Sequence, residues 1–363
     1  MKIKKSTLLE ALNKVYPTIE KSPDAWSQSD ASFIEGGDSF IFDKTHVRTY
    51  SNSMSISFPL DTGFVCGVKA QELLKLLSKM KGDEIEIDLV KDELMVRDKK
   101  TVSMWKTVKY AAIMGHLENL NLAAVSWKRI SKDFLDALNA CRFSASTNAG
   151  MGVMCGVYCG DNDVMTTDNY RASWYMLDAP IKHEFVLSTE VVRELIALDS
   201  ITKYSFNDPW IHFSNATGVI FSVRSFAGKY PKKGIKELFA DTSGKKYTLP
   251  DNFRETVERV SVLSFKDKDE KAIDDFVELY TKNDKLVCRG ERAFGRVEER
   301  LDANRNVFPK NIKLRMSCKY LLDMIDRYDR SFILRDDGAV LFSTDKMKHL
   351  FNTLRCDDKD VEK

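Results

Sequence analysis

Asp168, Tyr170 and Arg171 stand within four consecutive positions of the stretch MTTDNYRASW, which begins at Met165. A carboxylate, a phenol and a guanidinium at that spacing could serve a hydrolase or transferase as base, acid and oxyanion or phosphate clamp. The same residues also have a purely structural use, in which the Asp closes a turn and the Arg braces a loop. Neighbouring residues of a strand point to opposite faces, so Tyr170 and Arg171 are expected to diverge rather than converge on one substrate. A third use is a partner-binding pocket, which needs only an aromatic wall and a guanidinium at its rim.

Nothing nearby completes an active centre. The chain has no Gly-x-Gly-x-x-Gly run, no Walker-type lysine loop and no nucleophile elbow. The stretch NAGMGVMCG from Asn148 has glycines but no lysine, and reads as a loop entering a strand. Cys155 and Cys159, with three residues between them, share one face of a strand but lack the second pair that zinc requires. His46, His116, His183, His212 and His349 form no ligand-spaced doublet. We therefore expect no metal and no cofactor, and buried structural thiols.

The elements that must position the cluster repeat along the chain. Three segments, starting at Gly67, Leu187 and Ser317, each open with an amphipathic helix and continue into strand, polar turn and strand. The apolar stripes are Leu73, Leu74, Leu77 and Met80, then Val191, Val192 and Leu195, then Leu321, Met324 and Ile325. A second trio of helices is expected in STLLEALNKVY from Ser6, SWKRISKDFLDALNACR from Ser126 and LPDNFRETVERVSVL from Leu249. The repeat of roughly 120 residues is a common domain size. It divides the chain into 1–122, 123–245 and 246–363, three α+β domains, each with two helices packed on antiparallel sheets. The stretch Gly228 to Lys246 reads as the clearest linker. By the same repeat, the slot of the Asp168–Arg171 cluster recurs at Thr49 to Asn52 and at Cys288 to Glu291, so the slot is structural and its chemistry local.

Seven cysteines in 363 residues, one of them Cys356, read as reduced thiols of a cytoplasmic protein rather than a disulfide framework. No apolar run approaches membrane-spanning length. The net charge is only +2, and basic and acidic residues balance within each third. A nucleic-acid partner would therefore require charges sorted by face. Basic residues do recur on the polar sides of the expected helices: Lys75 and Lys79, Lys128 and Lys132 with Arg142 beyond, Arg193, Arg254, Lys319 and Arg327. Acidic residues accompany them, as any solvated helix face would show. If all the helices face one place, many weak, sequence-independent contacts to phosphate add up.

Taken in order, TTDNYRA, FVLSTEVVRELIAL, RVSVLS from Arg259 and SCKYLLDMI resemble segments of the bacterial-type DNA polymerase sliding clamp, the beta processivity subunit. The resemblance spans the whole chain. It implies a head-to-tail homodimer closed into a ring, with helices lining the hole, strands forming the outer wall, and double-stranded DNA held by topology. RVSVLS looks like the start of the third domain's first strand, and Val262 and Leu263 match the apolar pair of the family's dimer contact. The resemblance further implies a groove that takes short linear peptides of a DNA polymerase and a clamp loader, built here from Met154, Thr167, Asn169, Tyr170, Arg171, Ala172, Leu350, Leu354 and Arg355. In it Tyr170 gives aromatic area, Arg171 a rim charge, and Leu350 and Leu354 apolar wall. Asn169-Tyr170 departs from the family's Gly-His and Ala172 from its Leu. The implied setting is a bacterial cytoplasm or a virus-infected bacterial cell. Alternatives are the hydrolase or transferase above, and a clamp-fold scaffold that binds peptides without encircling DNA.

Overall fold

In a computed structural model of the chain, residues 1–19, 34–198, 200–265, 275–283, 285–301, 313–325, 327–328 and 330–354 are described. They form two units, Met1–Leu135 with Asp178–Ala227, and Asp136–Leu177 with Gly228–Lys363.

Unit 1 is built on two antiparallel sheets. One has four strands in the order Lys2–Lys4, Glu84–Val90, Glu93–Arg97, Val102–Lys106. Its alternation is as expected at Ile85 and Ile87, which are buried between outward Glu84 and Asp88. The other has eight strands, and its middle joins Met54–Pro59 to Ile220–Arg224, with Ile56 opposite Phe221. Strands from the first and middle thirds of the sequence thus share one sheet. The helix Lys5–Val15 buries Leu8, Ala11, Leu12 and Val15, a three-and-four spacing that gives one apolar stripe. The helix Ala70–Lys79 buries Leu73 and Leu77 in the same way. The helix Thr189–Ala197 starts where Ser188 accepts the Val191 N–H at 3.1 Å, with Glu190 in the first turn.

Unit 2 repeats the plan. A six-stranded sheet runs in the order Gly156–Thr167, Arg171–Ser188, Met347–Asn352, Ala339–Ser343, Ser331–Leu334, Lys245–Thr248. A four-stranded sheet runs Gly295–Leu301, Lys285–Arg292, Phe276–Lys282, Lys313–Ser317. The six-stranded sheet again crosses sequence thirds, with Ala172 opposite Leu350 and Ser173 opposite His349. Asp336-Asp337-Gly338 makes the expected hairpin turn, with Gly338 at φ 84°.

Four expectations are corrected. The stretch read as a linker holds the helix Lys232–Ala240, which buries Ile235 and Phe239, four apart on one face. The helix expected from Ser126 begins at Phe134, because Lys128–Arg129 pair with Tyr204 and Lys203 as a short strand. Phe253–Ser261 is a helix, so RVSVLS closes a helix rather than opening a strand. The third turn equivalent to Asp168–Tyr170 lies at Ala293-Phe294, since Cys288 to Glu291 sit inside the strand Lys285–Arg292. The helix Ala111–Asn119 was not anticipated; its Ile113 and Leu117 join Ile41, Tyr50 and Trp210 in a core cluster.

Candidate peptide cavity and apolar sheet edges

The cluster of Asp168, Tyr170 and Arg171 is a hairpin turn between the strands Gly156–Thr167 and Arg171–Ser188. Asp168 Oδ1 accepts the backbone N–H groups of Tyr170 at 3.0 Å and Arg171 at 2.9 Å, and Oδ2 accepts Arg171 Nε at 3.0 Å. Thr167 Oγ1 donates to the Arg171 carbonyl at 2.8 Å and accepts the Asn169 N–H at 3.1 Å. Asn169 adopts φ 75°, a left-handed conformation that Asn tolerates next best after Gly. Both Asp168 oxygens are engaged within the turn, so the residue serves as its clasp.

Arg171 does not stand at a rim. It is 4% exposed and sits beneath the turn. Its Nη1 donates to Asp323 Oδ2 at 2.8 Å, and its Nη2 to the Phe143 carbonyl. Its guanidinium lies 4.4 Å from the Tyr320 ring centroid and 5.3 Å from that of Phe143. A buried cation is tolerated only when so fully paired. Arg327 covers Phe143 at 4.4 Å and donates to the Asp323 carbonyl at 2.9 Å. Beside them His349 is enclosed, with Nδ1 2.8 Å from Ser173 Oγ. Burial first, then Arg171 and Arg327, holds its imidazole well below its ordinary pKa, so it is neutral.

Above this brace lies a cavity of about 580 Å³, with Asn169, Tyr170, Arg171, Met151, Lys319 and Tyr320 among its lining residues. Tyr170 offers an aromatic face to it at 42% exposure. Burial, followed by the charge of Asp168, pushes the Tyr320 hydroxyl up to about 12, so it stays a donor. Of the other expected groove residues, Thr167, Ala172 and Leu350 are buried, the last two facing each other across strands. Met154 is half-buried and its carbonyl accepts the Ser146 N–H; Leu354 is half-buried and donates to the Arg315 carbonyl at 2.9 Å. Arg355 lies outside the described residues. Sequence reasoning missed Ser146, Thr147, Asn148 and Met151, whose only signal was the glycine-bearing loop, and Tyr320, whose helix was noted without its role.

The basic residues divide. Lys75, Lys79, Lys132 and Lys319 are exposed. Arg193 pairs with Glu194 at 2.8 Å and Arg254 with Glu258 at 2.9 Å. Arg142 Nε donates to Asn139 Oδ1 at 3.2 Å, and Lys128 Nζ lies 3.4 Å from His183 Nε2. Lys128 and Lys132 precede their helix and Arg327 follows its own, so these three are not on helix faces.

Cys159 is buried and its thiol pushed up by burial, while Cys155 Sγ donates to the Asn148 carbonyl at 3.0 Å. Among the described residues, no group of three or more His, Cys, Asp or Glu could hold a metal ion, and no helix is long and apolar enough to cross a membrane.

Among the described residues, each four-stranded sheet ends on a strand with no further partner and with exposed apolar side chains in it or beside it. In unit 1 it is Val102–Lys106, where Val102 and Met104 are 62% and 45% exposed. In unit 2 it is Gly295–Leu301, flanked by Phe294 and Val262 at 81% and 76%. Leu263 packs against this hairpin, close enough that a Cβ at Gly290 would meet its carbonyl at 2.6 Å. The opposite edge of that sheet, Lys313–Ser317, is covered where Leu354 bridges Arg315.

Helix-plus-sheet halves repeated along the chain, with sheets shared between successive thirds, make up the fold of the bacterial DNA polymerase III beta sliding clamps. The beta subunit of the Streptococcus pyogenes DNA polymerase is 16% identical, with a TM-score of 0.78 over 98% of this chain and 99% of that one. The Helicobacter pylori beta clamp bound to a DNA ligase peptide is 14% identical, with a TM-score of 0.79 over 98% and 100%. A Pseudomonas aeruginosa sliding clamp bound to griselimycin is 16% identical, with a TM-score of 0.77 over 98% and 99%. The chain matches no protein-family model and no curated protein.

Proposed function

We propose that this protein is a non-catalytic sliding clamp: a homodimeric ring that encircles duplex DNA and tethers a DNA polymerase through short linear peptides. The observation that carries this reading is the likeness to sliding clamps over 98% of the chain, at TM-scores of 0.75 to 0.79. In this reading the thirds 1–122, 123–245 and 246–363 are three clamp domains, and the setting is cytoplasmic.

The sheet edges support the dimer. Eight strands run continuously where the first third meets the middle third, and six where the middle meets the last. Among the described residues, the two four-stranded sheets end on Val102–Lys106, with Val102 and Met104 exposed, and on the charged strand Gly295–Leu301, with Phe294 and Val262 exposed beside it. Unpaired edges of this kind recruit another chain. Joining one edge to the other between two copies would complete an eight-stranded sheet twice and cover Val102, Met104, Val262, Leu263 and Phe294. Lys75, Lys79 and Lys132, with Arg193 and Arg254 held by glutamates, would give the hole a weak, screened attraction for phosphate, suited to sliding. Arg142, Lys128 and Arg327 have local partners, which reduces what they can offer DNA.

The cavity at Tyr170 is the proposed peptide groove, supported by its concavity, its aromatic walls and the peptide-bound Helicobacter pylori clamp of the same fold. The test is retention on DNA. Protein loaded on nicked circular duplex should stay bound through gel filtration in high salt and be released when the circle is cut. Equal loss from circular and cut DNA would contradict encirclement.

A further inference from the structure

We infer that the cavity at Tyr170 selects partner segments carrying a carboxylate, and that Lys319 is the residue that anchors it. This rests on reading the cavity as a peptide groove. Most of the formal charges that line it are already paired. Asp168 and Arg171 neutralise each other at 3.0 Å, and Asp275 is paired with Arg292 at 2.9 Å. Arg171's second carboxylate, Asp323, is also contacted through its carbonyl by Arg327. What remains is Lys319, exposed on the first turn of the helix Cys318–Ile325, with no carboxylate partner among the described residues. The uncommitted charge of the cavity is therefore cationic.

The neutral lining points the same way. Ser146 Oγ accepts the Asn148 N–H at 3.1 Å, and Ser317 Oγ accepts the Tyr320 N–H at 3.4 Å. A hydroxyl that has already accepted keeps its own hydrogen to give away. Asn148 Oδ1 likewise accepts the Gly150 N–H at 2.9 Å, which leaves its amide hydrogens for a ligand. The phenol of Tyr170 adds a further donor. A cavity supplied with donors and one free ammonium suits an oxyanion, since hydrogen bonds to charged groups are the strong ones. Lys319 thus serves a bound peptide, although its place in the sequence suggested DNA.

The test is selection from a random 12-mer peptide library displayed with free C-termini, against the full-length chain and against Lys319→Glu and Lys91→Glu. Lys91 is exposed in a turn of unit 1 and controls for the change in net charge. We expect Asp, Glu or a C-terminal carboxylate to be enriched on the native chain and on Lys91→Glu, and the enrichment to vanish on Lys319→Glu. A resynthesised binder should lose at least about tenfold in affinity for Lys319→Glu. It should lose as much on the native chain when its acidic side chain is replaced by the amide, or when its C-terminus is amidated. Whichever replacement weakens binding identifies the carboxylate's source; if neither does, the inference fails. Binders without acidic preference, or binding equally to Lys319→Glu, would also overturn it while leaving the groove intact. A library yielding no binder for the native chain would overturn the groove reading itself.

Discussion

Arg171 Nη1 donates to Asp323 Oδ2 across 2.8 Å, joining residues that lie 152 positions apart in the chain. One end is the strand that follows the Asp168–Tyr170 turn, and the other is the helix Cys318–Ile325, so the pair holds the floor of the cavity. Removing the cation takes this donor from Asp168 Oδ2, Asp323 Oδ2 and the Phe143 carbonyl. Arg171→Met should cost about 3–5 kcal/mol, read as a lower urea midpoint. Asp323→Ala should cost less, about 1–3 kcal/mol, because Arg171 keeps Asp168. The double variant should cost less than the two single ones together. An Arg171→Met chain as stable as the native one would refute the bracing role.

Tyr170 and Asn169 separate binding from stability. Tyr170 is 42% exposed on a turn, so Tyr170→Ala should move stability by no more than about 0.5 kcal/mol. It should nevertheless weaken a selected peptide by about 2 kcal/mol, measured by calorimetry. Asn169→Gly should fold as well as the native chain, whereas Asn169→Val should lose about 1–2 kcal/mol, because a branched side chain resists φ 75°.

Dimerisation should fail when an exposed apolar residue at either edge strand is replaced by a charge. Val262→Asp or Met104→Asp should give a mass near the 41.5 kDa of one chain in light scattering, where the native protein gives twice that. Both sites are exposed, so the melting temperature of the isolated chain should barely change. Native protein that stays monomeric at high concentration would remove the edge-to-edge account.

Stability should fall in mild acid. His212 and His349 are buried and neutral, with His212 lowered to about 4 by burial and His349 lowered well below its ordinary value. Between pH 6.5 and about 4 the unfolded chain takes up protons that the folded chain refuses. The stability these histidines contribute is therefore complete above pH 6.5 and is lost as pH falls. The slope approaches about 1.4 kcal/mol per pH unit for each histidine. In urea titrations His212→Gln should flatten the profile, and an unchanged slope would show that His212 titrates alike in both states.

The periodic features of this chain were legible in its sequence, and the long-range ones were not. The stripes at Leu73 and Leu77 and at Val191, Val192 and Leu195 identified their helices, because burial every three or four residues has few other causes. The turn-closing use of Asp168 was likewise readable from neighbours in the chain. The burial of Arg171 was not, since Phe143, Tyr320 and Asp323 reach it from distant elements. Lys128–Arg129 looked helical because the strand that claims them lies near Lys203. In Lys232–Ala240 the lysines and Gly234 hid the one buried apolar pair, Ile235 and Phe239. Lys319 reads as one more solvated helix residue until Tyr170 and Ser146 are brought around the same cavity.

Encirclement of DNA requires a closed ring, which imaging can show. Purified protein should be viewed as single particles by negative stain at a concentration that favours assembly. Closed rings with an open centre and six similar lobes are expected, reverting to arcs when Val262→Asp is imaged. Compact particles without a hole at every concentration would contradict encirclement, and would leave the cavity at Tyr170 as the site of a clamp-fold scaffold.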